Sequence, residues 1–118
     1  MAQKPFTCGL DLTLAVLSGK WKSLILFHLA HEMHRYGELK RAVGGVTDKV
    51  LIQQLKELQR DEIIDRVDFQ EIPPKVEYSL TPFGRSLAKT LMPMCVWGTE
   101  NRQQVERIMQ RRQEALGK

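Results

Sequence analysis

The chain has 118 residues, 42% of them hydrophobic, and a formal net charge of +4. That length suits one domain with a modest core. No apolar run of about 18 residues occurs, which excludes a membrane-spanning helix, and the opening MAQKPFTCGLDL lacks the charged-then-apolar order of a secretory signal. Two cysteines, Cys8 and Cys95, are too few for a disulfide framework and lack zinc-finger spacing. A soluble, cytoplasmic protein with no cofactor, metal or membrane association is expected.

Charge is unevenly spread. Residues 20–60 carry eight Lys/Arg against four Asp/Glu, residues 61–80 two against six, and residues 81–118 seven against three. A basic helical region suits a polyanion, nucleic acid first among them. An ordinary solvated surface is the alternative.

Residues 1–7 read as a loose arm. The spacing predicts a helix from Gly9 to Leu17, with Leu10, Leu14 and Leu17 on one stripe and Leu12 and Val16 on another. A short helix apolar on two sides needs two partners: its own core and a second subunit. Ser18-Gly19 breaks the pattern. Lys20 to His31 forms the next helix, with Trp21, Leu24, Ile25, His28 and Leu29 inward and Lys20, Lys22 and Ser23 outside. Met33-His34-Arg35 is a connector with room for a single β-bridge.

From Tyr36 to Arg66 the chain reads as short helix, tight turn, longer helix and strand. Tyr36, Leu39, Ala42 and Val43 fall at helical spacing, as do Val50, Leu51, Leu55 and Leu58. Gly44 and Gly45 end the first helix, because glycine tolerates the left-handed backbone a C-cap needs. Thr47 or Asp48 can accept hydrogen bonds from the free amides that open the second. This is the sequence form of a helix-turn-helix; an ordinary αα-hairpin fits the segment equally well on its own.

Ile63 to Phe69 alternates, with Ile63, Val67 and Phe69 opposite Arg66, Asp68 and Gln70. Pro73-Pro74 cannot continue a ladder. Lys75 to Leu80 alternates again, with Val76, Tyr78 and Leu80 on one face. Two strands around a Pro-Pro loop form a hairpin, and a hairpin appended to a helix-turn-helix is a wing. Its strands are acidic, so Lys75 near the tip and Arg66 would carry any phosphate contact. Thr81-Pro82 opens a helix with a capping hydroxyl and a proline in the first turn. Phe83, Leu87, Leu91, Met94 and Trp97 line one face of it, and Pro93 should kink it. The last segment, Thr99 to Leu116, is helical but too polar to be stable alone. It is expected to pack on a partner chain.

Four stretches together resemble the HxlR family of bacterial winged-helix transcription regulators, relatives of the MarR type. They are Cys8 ahead of the first helix, SGKWKSLILFHL at 18–29, RYGELKRAVGGVTDKVLIQQLKELQRDEIIDR at 35–66, and EIPPKVEYSLTPFGRSL at 71–87. Gly9 stands where the family usually has proline, and Asp61-Glu62 where it usually has a glycine turn. The resemblance implies a mainly α fold with a small β-wing (α+β), a single winged helix-turn-helix domain over 1–118. Residues 8–80 would be the DNA-binding core, with the wing at about 63–80, and 81–118 the dimerisation helices. It further implies a homodimer on double-stranded DNA, at a palindromic operator. Leu10, Leu14, Leu17, Trp97, Val105, Ile108 and Met109 are the expected dimer contacts.

In a winged helix the second helix of the motif enters the major groove, and its N-terminal residues reach base edges. Here those are Thr47, Asp48, Lys49, Val50, Gln53 and Gln54. Glutamine can bind adenine through two hydrogen bonds. Lys20, Lys22, Arg35, Tyr36, Lys40, Arg41, Arg66 and Lys75 are candidate phosphate contacts, which position the protein without choosing sequence; plain surface charge is the alternative for each.

Cys8 precedes a helix, whose dipole favours a thiolate, and Lys4 is placed to help. Some family members use the equivalent cysteine to sense electrophiles or oxidants, so Cys8 is a candidate thiol switch; a small buried hydrophobe is the other reading. Cys95 is expected in the core. His28, His31 and His34, with Glu32, are read as structural rather than metal-binding. Trp21 and Trp97 suit core or interface, with an aromatic-lined effector pocket at the dimer seam as the alternative. Three functions stay open: a regulator, more simply a repressor, gated by thiol chemistry; the same regulator gated by a small apolar ligand; and a winged-helix protein-interaction module without DNA affinity. No catalytic set of an enzyme is present.

Overall fold

A computed structural model describes residues 5–117; the expectation for Lys4 lies outside them. In chain order the elements are α1 (Gly9–Leu17), α2 (Lys20–His31), β1 (His34–Arg35), α3 (Tyr36–Val43), α4 (Asp48–Arg60), β2 (Ile64–Asp68), β3 (Val76–Leu80), α5 (Pro82–Ala88), α6 (Leu91–Glu100) and α7 (Arg102–Leu116). The three strands form one antiparallel sheet in the order β1-β3-β2. Tyr78 sits opposite both His34 and Arg66, and Ile64 opposite Leu80. The connector before α3 is thus a two-residue strand that fastens the wing to the helical body.

The core is built on α2. Ile25, Leu26 and Leu29 are buried there, and Leu39 of α3, Leu51, Leu55 and Leu58 of α4, and Ile63 and Ile64 of the wing close around them. Local chemistry sets the joints. Gly44 and Gly45 take φ values of +73° and +74°, and the Gly44 N–H donates to the Lys40 carbonyl at 3.0 Å. Thr47 caps α4, its hydroxyl accepting from the Val50 N–H at 3.2 Å.

Several expectations change. The buried face of α2 is Lys22, Ile25, Leu26 and Leu29, while Trp21, Leu24 and His28 are only half-buried. The helix is apolar around much of its girth, so periodicity alone does not fix which stripe turns inward. Leu17 is 6% exposed; it belongs to the chain's own core rather than to a dimer contact. Val67 of β2 and Phe69 just beyond it are exposed, on the part of the hairpin furthest from the buried Ile63 and Ile64. Residues 82–100 form two helices in place of one kinked helix. Pro93 lies in the first turn of α6, where its missing N–H costs nothing. In a continuous helix its ring would clash with the Lys89 carbonyl. The break at Lys89-Thr90 turns α6 so that Met94, Cys95 and Trp97 face outward. Cys95 is therefore a surface residue, not a core one.

Where the wing returns to the body, contact is backbone-close. The Thr81 hydroxyl accepts from the Gly84 N–H at 3.0 Å and lies 2.7 Å from the Glu62 carbonyl, to which it donates. Gly84 packs directly on Ile63: a Cβ added there would lie 1.9 Å from the Ile63 carbonyl oxygen. Since that atom is backbone, α5 would have to move. Gly84→Ala is expected to cost about 1–3 kcal/mol, measured as a fall in the urea midpoint. An unchanged midpoint would show that α5 is free to retreat.

Candidate nucleic-acid interface

Burial of Leu51, Leu55 and Leu58 orients α4 and leaves Lys49, Ile52, Gln53, Lys56, Gln59 and Arg60 exposed. Thr47 is spent as the cap. Val50 is half-buried and packs against the core, one residue before the Leu51 stripe. Gln54 is half-buried at the flank, whereas Gln53 is exposed and its amide donates to Glu57 Oε2 at 2.9 Å. Ile52, Lys56 and Gln59, absent from the expected contacts, share this outward face, which the repeat of Leu51, Leu55 and Leu58 places opposite the core.

The expected phosphate contacts fall into separate groups. Tyr36 and Arg66 line a groove of about 550 Å³ between α4 and the wing, together with Ile52, Lys56 and Gln59. Arg35 and Arg41 lie around a different hollow, among Glu32, Glu38 and Glu77. Lys20 is exposed, its ammonium 4.4 Å above the Trp21 ring. Lys75 lies 4.5 Å above the Phe69 ring and 3.6 Å from Glu77, so the wing's only tip lysine is held against its own strand. Lys22 is a correction. Its side chain is 5% exposed and paired with Glu57 at 3.0 Å, which removes it from the phosphate contacts.

At the start of α4, Asp48 Oδ1 accepts from the Tyr36 hydroxyl and from Lys40 Nζ, the latter at 3.0 Å. Three of the expected DNA contacts therefore hold one another. Burial first, then the Asp48 hydrogen bond and charge, push the Tyr36 phenol up to about 12. The Tyr36 bond, followed by Lys40, holds the Asp48 carboxyl below its usual range.

Away from this surface, apolar side chains lie open. Leu10, Leu12 and Leu14 of α1, Met94, Val96 and Trp97 of α6, and Met109 of α7 are exposed, while Val105 and Ile108 are half-buried. Between α2 and α6 lies an apolar depression of about 270 Å³, lined by Leu24, Phe27, Leu91, Met94 and Cys95. Cys8 is exposed at the N-cap of α1. The backbone amides of Asp11 and then Leu10 lower its thiol pKa, though neither completes a capping hydrogen bond. The histidines are tied locally: His31 Nδ1 lies 2.8 Å from the Phe27 carbonyl and His34 Nδ1 2.8 Å from the Glu32 carbonyl.

A helix-turn-helix with an open polar face on its second helix, flanked by a hairpin, defines a winged-helix DNA-binding regulator. Residues 16–106 match the HxlR-like helix-turn-helix family, and the chain belongs to that family. It is 50% identical over 97 residues to MalR of Fusobacterium mortiferum, provisionally assigned as a regulatory protein, a match covering 81% of this chain and 92% of that one. A provisionally assigned MarR-family transcriptional regulator from Porphyromonas gingivalis W83 superposes with a TM-score of 0.77 at 37% identity, over 86% of this chain and 99% of that one. The redox regulator HypR in its oxidised form gives a TM-score of 0.74 at 40% identity, over 80% and 97%. The protein is thus a transcriptional regulator and not an enzyme. Among the described residues no helix is long and apolar enough to cross a membrane.

The Tyr36–Asp48 bond has a pH signature. A phenol raised in the folded state stabilises the fold below its ordinary pKa of 10.0, and that contribution is lost as pH rises toward about 12. The depressed Asp48 acts oppositely: its contribution is present above the ordinary carboxylate pKa and lost as pH falls through the folded value. Ultraviolet titration should show one of the two tyrosines ionising at about 12. Asp48→Asn should bring that step down without restoring the ordinary value, because burial, the larger cause, persists. A step that does not move would mean Asp48 has no hold on Tyr36.

Proposed function

We propose that the protein is a repressor that binds a palindromic operator as a homodimer and is released by modification of Cys8. The observation that carries DNA reading is the open outward face of α4. Lys49 and Gln53 have no role in the core, and Ile52 beside them offers an apolar contact of the kind a thymine methyl takes. Arg66, Lys56 and Tyr36 border the same groove and serve the backbone, with Arg35, Arg41, Lys20 and Lys40 as further phosphate partners. The acidic β2 keeps most of the wing off the duplex. Residues 8–80 act as the DNA-binding core and 81–118 as dimerisation helices.

Dimer formation is supported by the open apolar surface of α1, α6 and α7. A monomer that left Leu10, Leu14, Trp97 and Met109 in water would expose a patch of the kind that marks an interface. Two copies related by a two-fold axis would set two α4 helices about one DNA turn apart, roughly 34 Å, which is why the operator is palindromic. Fluorescence anisotropy with a duplex enriched from a random library tests the reading. Affinity should fall steeply with salt, as phosphate contacts require. Gln53→Ala should weaken the enriched duplex about tenfold and leave random duplex nearly unchanged. Equal losses on both would remove Gln53 from base reading.

Thiol gating is supported by the exposure of Cys8, its lowered pKa and the likeness to a redox regulator. Diamide should lower operator affinity for the wild type and for Cys95→Ser, whose thiol is also exposed, but not for Cys8→Ser. The same response in all three would end the proposal for Cys8. The apolar depression beside Cys95 favours a second reading, in which a small apolar ligand seated there is the signal.

A further inference from the structure

Lys22 is the one buried charged side chain among the described residues. Its ammonium donates to Ser18 Oγ at 3.2 Å and to Glu57 Oε1 at 3.0 Å. The other oxygen of that carboxylate, Glu57 Oε2, accepts from Gln53 Nε2 at 2.9 Å. A buried ion pair is a poor source of stability, since apolar replacements of similar size are often neutral or better. What this one does is hold Glu57 against a residue of the DNA-facing stripe. The Gln53 hydrogen bond and then Lys22 keep the Glu57 carboxyl below its usual range, so it is ionised at neutral pH.

An ionised carboxylate only accepts hydrogen bonds. Gln53 must therefore turn its NH2 end toward Glu57 and its Oε1 away, leaving one acceptor and one N–H free. That pair matches adenine, which offers the N6 amino group as donor and N7 as acceptor. A glutamine free to flip could instead aim both N–H groups at guanine, whose major-groove edge has only the O6 and N7 acceptors. We propose that Lys22 and Glu57 are positioning residues that fix the polarity of the Gln53 amide, so that Gln53 reads adenine and rejects guanine. The inference rests on the reading of Gln53 as a base contact.

The test uses the full-length protein and the duplex it enriches. Each adenine is replaced in turn by 7-deazaadenine, which lacks the N7 acceptor, and by guanine. Affinities are read as ratios to the parent duplex, so uniform losses cancel. In the wild type, one position per half-site should lose about tenfold with either base, and Gln53→Ala should abolish that penalty, marking the position. Glu57→Gln should bring the adenine-to-guanine ratio at the marked position close to one, and Lys22→Met should lower it part of the way, because it releases the carboxylate to swing from Gln53 without neutralising it. Should Lys22→Met fail to fold, Glu57→Gln decides alone, because that side chain is 26% exposed and its neutral amide keeps the shape. A full penalty in Glu57→Gln at the marked position overturns the inference and leaves Gln53 as a reader. If Gln53→Ala marks no position, base reading by Gln53 itself fails, and the inference with it.

Discussion

The burial of one face of α2 is the constraint on which the other elements depend. Ile25, Leu26 and Leu29 are at most 2% exposed, and α3, α4, α5, α6 and the wing all rest on this helix. Each fully buried Leu or Ile contributes about 1.5–3 kcal/mol. Turning α4 by a single residue would carry Ile52 and Lys56 inward in place of Leu51 and Leu55. The loss would be several such increments, more than the small net stability of a domain this size tolerates. The direction of the outward face of α4 is therefore set by the core.

Polar contacts refine that direction rather than create it. The Lys40–Asp48 pair has side chains 40% and 63% exposed, and exposed pairs contribute little to stability. Their value is orientational. With Asp48 shared between Tyr36, at the start of α3, and Lys40, near its end, that helix and the first turn of α4 keep one relative position. Lys22 and Glu57 do the same from the opposite side, tying Ser18 at the end of α1 to Gln53.

The fold was legible where a residue's meaning is local. Gly44-Gly45, Thr81-Pro82 and the Pro73-Pro74 loop each limit the backbone through their own chemistry, and each gives the predicted cap, helix start or turn. The site was half legible. The 3.6-residue repeat in α4 separates Leu51, Leu55 and Leu58 from Lys49 and Gln53, but an apolar Ile52 on the open face reads as core. Lys22 could not be found, because a lysine is buried only when a partner waits for it, and Glu57 lies 35 residues further on. Cys95 failed for a related reason: the break ahead of Pro93 turns α6, and a kink predicted from one proline carries no direction. Gly84 looked like any small residue in a helix until the Ile63 carbonyl was placed against it.

The two surfaces of the molecule differ in what the single chain can satisfy. The face of α4 is largely polar, its charged and amide groups solvated or paired, with Ile52 as its apolar member. The surface of α1, α6 and α7 leaves apolar side chains open. Helix α7 has no buried residue, and an isolated helix of 15 residues is marginal in water even with favourable composition. On α1, Leu17 turns into the core while Leu10, Leu12 and Leu14 turn out. A second copy seated on this surface, as proposed, would cover those side chains and order α7. Cys8 and Ser18, the latter held by Lys22, cap the two ends of the helix that such a copy would cover.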